Sequence, residues 1–185
     1  MTNRFPRLFI LPLLLAAGCV QSLHPLYTDK DLVFQPGLVG SWSEEGSDDV
    51  WIFERSGDKS YDLIYTEHSA SAKFVAHLVQ LGKFLFLDIY PHELDLDNDF
   101  QKAHFLPVHT FSRVWLQEDT LRLVMLDHTW LKDMARKKNL NLAHDRIGDQ
   151  IVLTASTREL QKFMTRYAEN PKAFPKPESG LIRRK

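Results

Sequence analysis

Four of the eight histidines, His92, His104, His109 and His128, fall in one stretch and are the first side chains to test for chemistry. Imidazole nitrogens bind transition metals, but this spacing builds no site. His104 and His109 lie five residues apart, which puts them on opposite faces of a regular strand. No H-x-x-x-H pair occurs, and no thiol stands near to complete a ligand set. Asp95 to Asp99, D-L-D-N-D, begins like a calcium loop. Its sixth position is Phe100 where such a loop turns on Gly, and its twelfth is Leu106 where Glu would be bidentate, so a solvated acidic loop is expected. A serine hydrolase needs the G-x-S-x-G elbow with His and Asp to follow, and none is present. Asp127 and His128 are adjacent, as a turn entering a helix would place them. Glu44 with Glu45, and His92 with Glu93, have no spacing specific to paired acid–base work. No Gly-rich phosphate loop occurs. The expectation is a non-enzymatic protein with no catalytic, metal or cofactor site. The alternative of a hydrolase acting on lipid or wall material would be revived by activity lost on replacing His109 or His128 with the fold intact.

The elements that must carry these residues read as mainly β. From Leu38 onward, short runs rich in aromatic and β-branched residues recur about every ten residues: L-V-G-S-W-S-E, V-W-I-F-E-R-S, S-Y-D-L-I-Y-T-E-H, A-K-F-V-A-H-L-V-Q-L and K-F-L-F-L-D-I-Y-P. Gly46, Gly57, Ser69 to Ser71 and Gly82 mark the turns between them. Alternation puts Trp51 with Phe53, and Tyr61 with Leu63 and Tyr65, on single faces. Phe84 and Phe86 oppose Leu85, Leu87 and Ile89, so that strand is apolar on both faces. Two more strands follow around Pro107, which marks an irregular or edge position, and at T-L-R-L-V-M-L-D. Asp149 to Ala155 reads as the last strand. Two helices are predicted, over Thr129–Lys138 and from Ser156. The second opens with a Ser156/Glu159 capping box and presents Leu160, Phe163, Met164 and Tyr167 on one face until Pro171.

The 185 residues suffice for one domain of ordinary size, and 44% hydrophobic with 25% charged residues is a globular balance. A net charge of -1 argues against a nucleic-acid binder, which needs a basic field. Residues 1–18 read as an export signal: Arg4 and Arg7, then an apolar run from Leu8 to Ala17 too short to span a bilayer. The single cysteine follows at once. Ala16-Ala17-Gly18-Cys19 resembles the lipobox of bacterial lipoproteins, with Ala16 where Leu is usual. That resemblance implies cleavage between Gly18 and Cys19 and a covalent diacylglycerol thioether on Cys19, with an acyl chain such as palmitate on the new amine. It also accounts for a solitary thiol, since lipidation consumes it. Val20, instead of Asp, implies the outer membrane facing the periplasm in a Gram-negative host. The mature chain would then carry 21 basic against 24 acidic residues, a charge of −3.

Residues 19–37 are expected to be a lipidated N-terminus and surface tether, 38–170 a β-rich domain, and 171–185 a flexible tail. About eight strands in meander order with a C-terminal amphipathic helix fit a small closed barrel, because closure removes pairing-prone edges. Gly40-Ser41-Trp42 resembles the G-x-W of the lipocalins and related calycins, in which the Trp plugs the closed end. Their T-D-Y motif is missing, and Arg113 or Arg146 is the candidate for their late arginine. A β-sandwich, or an open sheet with helices on one face, is the alternative. Trp42, Trp51, Phe53, Tyr65, Phe84 and Phe86 are the candidate lining of an apolar cavity for a lipid or other envelope molecule. The competing expectation is that these rings fill the core and that the chain serves as an envelope interaction or maintenance protein. The expected partners are the membrane, through the anchor, and either an apolar small molecule or an envelope protein.

Overall fold

The computed structural model describes residues 19–92, 97–177 and 179–184. In chain order the elements are β1 (Gln21–Ser22), β2 (Leu32–Val33), β3 (Gly40–Ser43), β4 (Val50–Arg55), β5 (Tyr61–Glu67), β6 (Ala70–Leu81), β7 (Phe84–Pro91), a short α1 (Asp99–Lys102), β8 (His109–Gln117), β9 (Thr120–Met125), α2 (His128–Arg136), β10 (His144–Ile147), β11 (Gln150–Leu153), α3 (Thr157–Tyr167) and β12 (Leu181–Arg183). Strands β3 to β9 form the expected meander. β12 then inserts between β9 and β3 and closes an eight-stranded antiparallel barrel. This is consistent with the lipocalin-like expectation.

Registers follow the alternation of the sequence. Trp42, Trp51 and Tyr65 stand opposite one another across β3, β4 and β5, and Gly40, Phe53 and Leu63 form the next rung. Directly opposed residues share a face, so these side chains point together into the barrel. β7 is apolar on both faces, as its sequence implied. Leu87 and Ile89 join the barrel interior, while Phe86 joins a second core outside the barrel wall. That second core lies over β6 to β8, beneath α2, α3 and the segments around Leu26 and Phe174. A single β-layer therefore separates two hydrophobic clusters. α3 begins as predicted, with Ser156 Oγ donating to Glu159 at 2.6 Å, and it buries Leu160, Phe163 and Met164. α2 starts at His128, one residue before the predicted start, because Asp127 caps it by accepting from the Trp130 backbone N–H at 2.6 Å.

Three expectations are corrected. Gln150–Leu153 is not a barrel strand. It pairs parallel with β1 and antiparallel with β10, extending the sheet beyond β8 so that Ile151 and Leu153 can face the outer core. Residues 19–37, expected as a tether along the domain surface, are built into the fold. β1 takes the β8 edge beyond the point where β9 leaves it, Leu26 is fully buried, and Gln161 of α3 donates to Leu26 O and to Asp31. Residues 171–185 are not a flexible tail either. Ala173 and Phe174 are buried, and β12 lies ten residues beyond Pro171. Without β12 the edges of β9 and β3 would be left unpaired.

Candidate functional site

The core of the barrel is built around Trp42. Its ring is fully buried, its Nε1 donates to Leu38 O at 2.9 Å, and the Arg183 guanidinium lies 4.2 Å above it. Arg183 also donates to Val39 O and Gly37 O and pairs with Asp119 at 3.3 Å. Gly40 makes this approach possible. Its φ is +135°, and a Cβ there would sit 2.5 Å from Arg183 Nη1. The arginine packed on Trp42 is Arg183, and neither Arg113 nor Arg146, the two that the sequence offered. Arg113 stacks outside the barrel on Trp115 and Phe84 and donates to Ala168 O, while Arg146 borders a surface hollow beside α2. Phe34 stacks on Tyr61 at 5.1 Å, and the Tyr61 hydroxyl accepts from Gln35 N and donates to Gln35 O. Burial pushes that phenol up.

The six candidate lining residues divide. Trp42, Trp51, Phe53 and Tyr65 face inward, with Trp51 and Tyr65 rings 4.7 Å apart. Phe84 and Phe86 face outward, which corrects the expectation for both. Phe86 meets Phe174 at 6.0 Å, and Phe84 lies under Arg113. The period of two is the reason: Leu85, Leu87 and Ile89 claim the inner face of β7. Below the mouth, Trp42, Phe53, Tyr61, Leu63, Leu78, Leu87 and Leu121 are at most 1% exposed and fill the barrel. At the mouth, the end that carries the turn between β5 and β6, Trp51, Tyr65 and Phe74 are half-buried, as are Leu123 and Leu181 elsewhere in the barrel. Burial, with Asp49, Glu67 and Glu44 adding negative charge, pushes the Tyr65 hydroxyl up to about 12. Two hollows lie outside the barrel. One of about 570 Å³ lies between the Glu44–Asp48 loop and β12, and one of about 210 Å³ between α2 and β10.

The outer face carries a polar group that sequence reasoning missed. Asp88, 1% exposed, accepts from Leu26 N at 2.7 Å through one oxygen and meets His109 Nδ1 at 2.7 Å through the other. His77 stands opposite Asp88 in β6 and stacks on Tyr27, and His109 stacks on Tyr90. Burial lowers the His77 pKa against the pull of Asp88, and His109 lowers it further. The visible signal was an acid in the middle of an otherwise apolar strand. Through these two bonds Asp88 fastens the N-terminal segment to the barrel wall. The other histidines do not join this group: His128 starts α2, and His104 Nδ1 meets Phe100 O at 2.6 Å. Among the described residues no group of three or more His, Cys, Asp or Glu is placed to hold a metal. Cys19 is half-buried, its Sγ lies 3.4 Å from Met125 Sδ, and burial pushes its thiol up. Gly18, the rest of the expected leader and Asp95 of the acidic loop lie outside the described residues.

Comparison with known proteins finds no matching family model, no matching curated protein and no matching solved structure.

Proposed function

We propose that this protein is a non-enzymatic bacterial envelope lipoprotein, anchored through diacylglycerol on Cys19, that works through its outer surface while its barrel serves as a filled scaffold. In a Gram-negative host Val20 favours the outer membrane, facing the periplasm. The observation that carries the reading is the packing below the mouth, where seven large side chains from Trp42 to Leu121 are at most 1% exposed. A binding barrel of this strand number needs that space for its ligand. Photocrosslinkers at Glu45 and Arg136, beside the two outer hollows, test it in intact cells. One reproducible envelope protein captured from either position is the expected result. Crosslinks to lipid or small molecules from Trp51 and Tyr65, with none to protein from outside, would overturn it.

A second reading keeps an apolar small molecule at the mouth. Its support is specific: Trp51, Tyr65 and Phe74 stand half-exposed at the open end, a place where one hydrophobic group could lodge.

A further inference from the structure

Among the described residues six large hydrophobic side chains are exposed, and four of them gather at one end: Leu23, Phe100, Phe105 and Leu106. Phe100, Phe105 and Leu106 lie in the connection from β7 to β8 and are 77%, 52% and 71% exposed. Leu23 reaches the foot of that connection because Ser22 pairs with His109, the first residue of β8. Scattered exposed apolar residues need no explanation, but a cluster of large ones does. The same end holds the half-exposed mouth residues Trp51 and Tyr65. Arg183, paired with Asp119 in the turn between β8 and β9, lies toward the opposite end.

The position of Cys19 says what meets this cluster. Val20 is 5% exposed and Gln21 already belongs to the sheet, so almost no free chain separates a lipid on Cys19 from the folded domain. From Cys19 the strand runs toward the apolar end, and the four residues to Leu23 span at most about 14 Å. A domain held that closely cannot swing away from the bilayer. The connection from β7 to β8 is acidic, with Glu93, Asp95, Asp97 and Asp99 against Lys102, so attraction to anionic lipid is not the drive.

We propose that the open end of the barrel docks on the bilayer, with Leu23, Phe100, Phe105 and Leu106 entering the interface beside the acyl anchor. The occupant of this patch is the lipid surface itself, and apolar burial drives the docking. The proposal rests on the anchored-lipoprotein reading, and the test separates the two.

Lipidation would leave no native thiol, so a cysteine introduced by Phe105→Cys takes a fluorophore selectively; should Cys19 prove unmodified, the same labelling is repeated in a Cys19→Ser chain. The full protein so labelled is reconstituted in phosphatidylethanolamine/phosphatidylglycerol vesicles containing spin-labelled lipid. Phe100→Cys is the second site should the first variant fold poorly. Asp58→Cys, in the turn between β4 and β5 at the opposite end of the meander, is the reference. Quenching at 105 and 100 several-fold greater than at 58, and unchanged between low and high salt, is expected. Equal quenching at all three sites overturns docking. So does excimer formation between copies labelled at 105 without lipid quenching, which would make a second copy the occupant. Mass spectrometry of the same sample reads Cys19. A chain that retains residues 1–18 overturns the anchor, while quenching still reports whether the apolar end meets the bilayer.

Discussion

Replacing Asp88 by Ala should cost more stability than any surface substitution, and the cost can be worked from its two bonds. The carboxylate is 1% exposed and accepts at 2.7 Å from the Leu26 backbone N–H, which is itself in a fully buried residue. Removing the acceptor strands that N–H, a desolvation penalty of about 1–3 kcal/mol. The second oxygen holds His109 Nδ1 at 2.7 Å, so the variant also loses that bond and leaves a small void beside Tyr90. Together the loss is about 2–4 kcal/mol, a large share of the 5–15 kcal/mol that domains of this kind possess. Asp88→Asn should cost less, since its amide oxygen can still accept from one of the two donors. Urea unfolding followed by tryptophan fluorescence measures both, and amide exchange at Leu26 localises the effect. Leu26 should exchange faster in the Ala variant while the amides of β4 and β5 stay protected. A loss under about 0.5 kcal/mol, within the range of ordinary surface substitutions, would refute the claim that Asp88 fastens the N-terminal segment.

Three further predictions bear on the barrel and the histidines. Arg183→Ala removes the cation over Trp42 and the donors to Val39 O and Gly37 O, and should destabilise by about 1–3 kcal/mol with a changed near-UV signal from Trp42. An unaltered Trp42 environment would contradict the assignment of Arg183. Gly40→Ala forces a side chain into a φ of +135° and against Arg183. It should cost about 1–3 kcal/mol or more, and Gly40→Ala combined with Arg183→Ala should cost less than the sum, as a double-mutant cycle can read. His77 has its pKa lowered below 6.5 by burial, so below that pH the unfolded chain binds more protons at this site than the folded one. Stability should therefore fall as pH drops through 6.5 toward the folded-state value, and His77→Gln should flatten that part of the curve in urea titrations.

The legible part of the fold was the part governed by short-range periodicity. Tyr61, Leu63 and Tyr65 alternate cleanly with polar neighbours, so β5 and its inner face could be read from the chain. The capping box at Ser156 and the stripe from Leu160 to Tyr167 likewise carry α3 in local spacing. Where both faces of a strand are apolar, alternation identifies the strand without saying which face is inside. That is why Phe84 and Phe86 were expected in the barrel and lie outside it. β12 escaped because three residues, Leu181 to Arg183, have no period to show, and their pairing depends on edges of β9 and β3 that lie far away in sequence. β11 drew the place of the closing strand because Ile151 and Leu153 alternate well, yet their partner is an outer helix layer. Arg183 and Gly40 act together across 143 positions, which no local motif encodes. The Asp88 group was hidden for the same reason, since its donors come from Leu26 and His109 on separate segments.

The central claim is a filled barrel held by lipid on Cys19, and the native mass of the protein released from membranes by detergent tests it most directly. The account predicts one species, Cys19 to Lys185 plus a diacylglycerol and an acyl chain, with no further mass lost on gentle collisional activation. A chain still carrying residues 1–18, or a stoichiometric apolar ligand shed on activation, would contradict it.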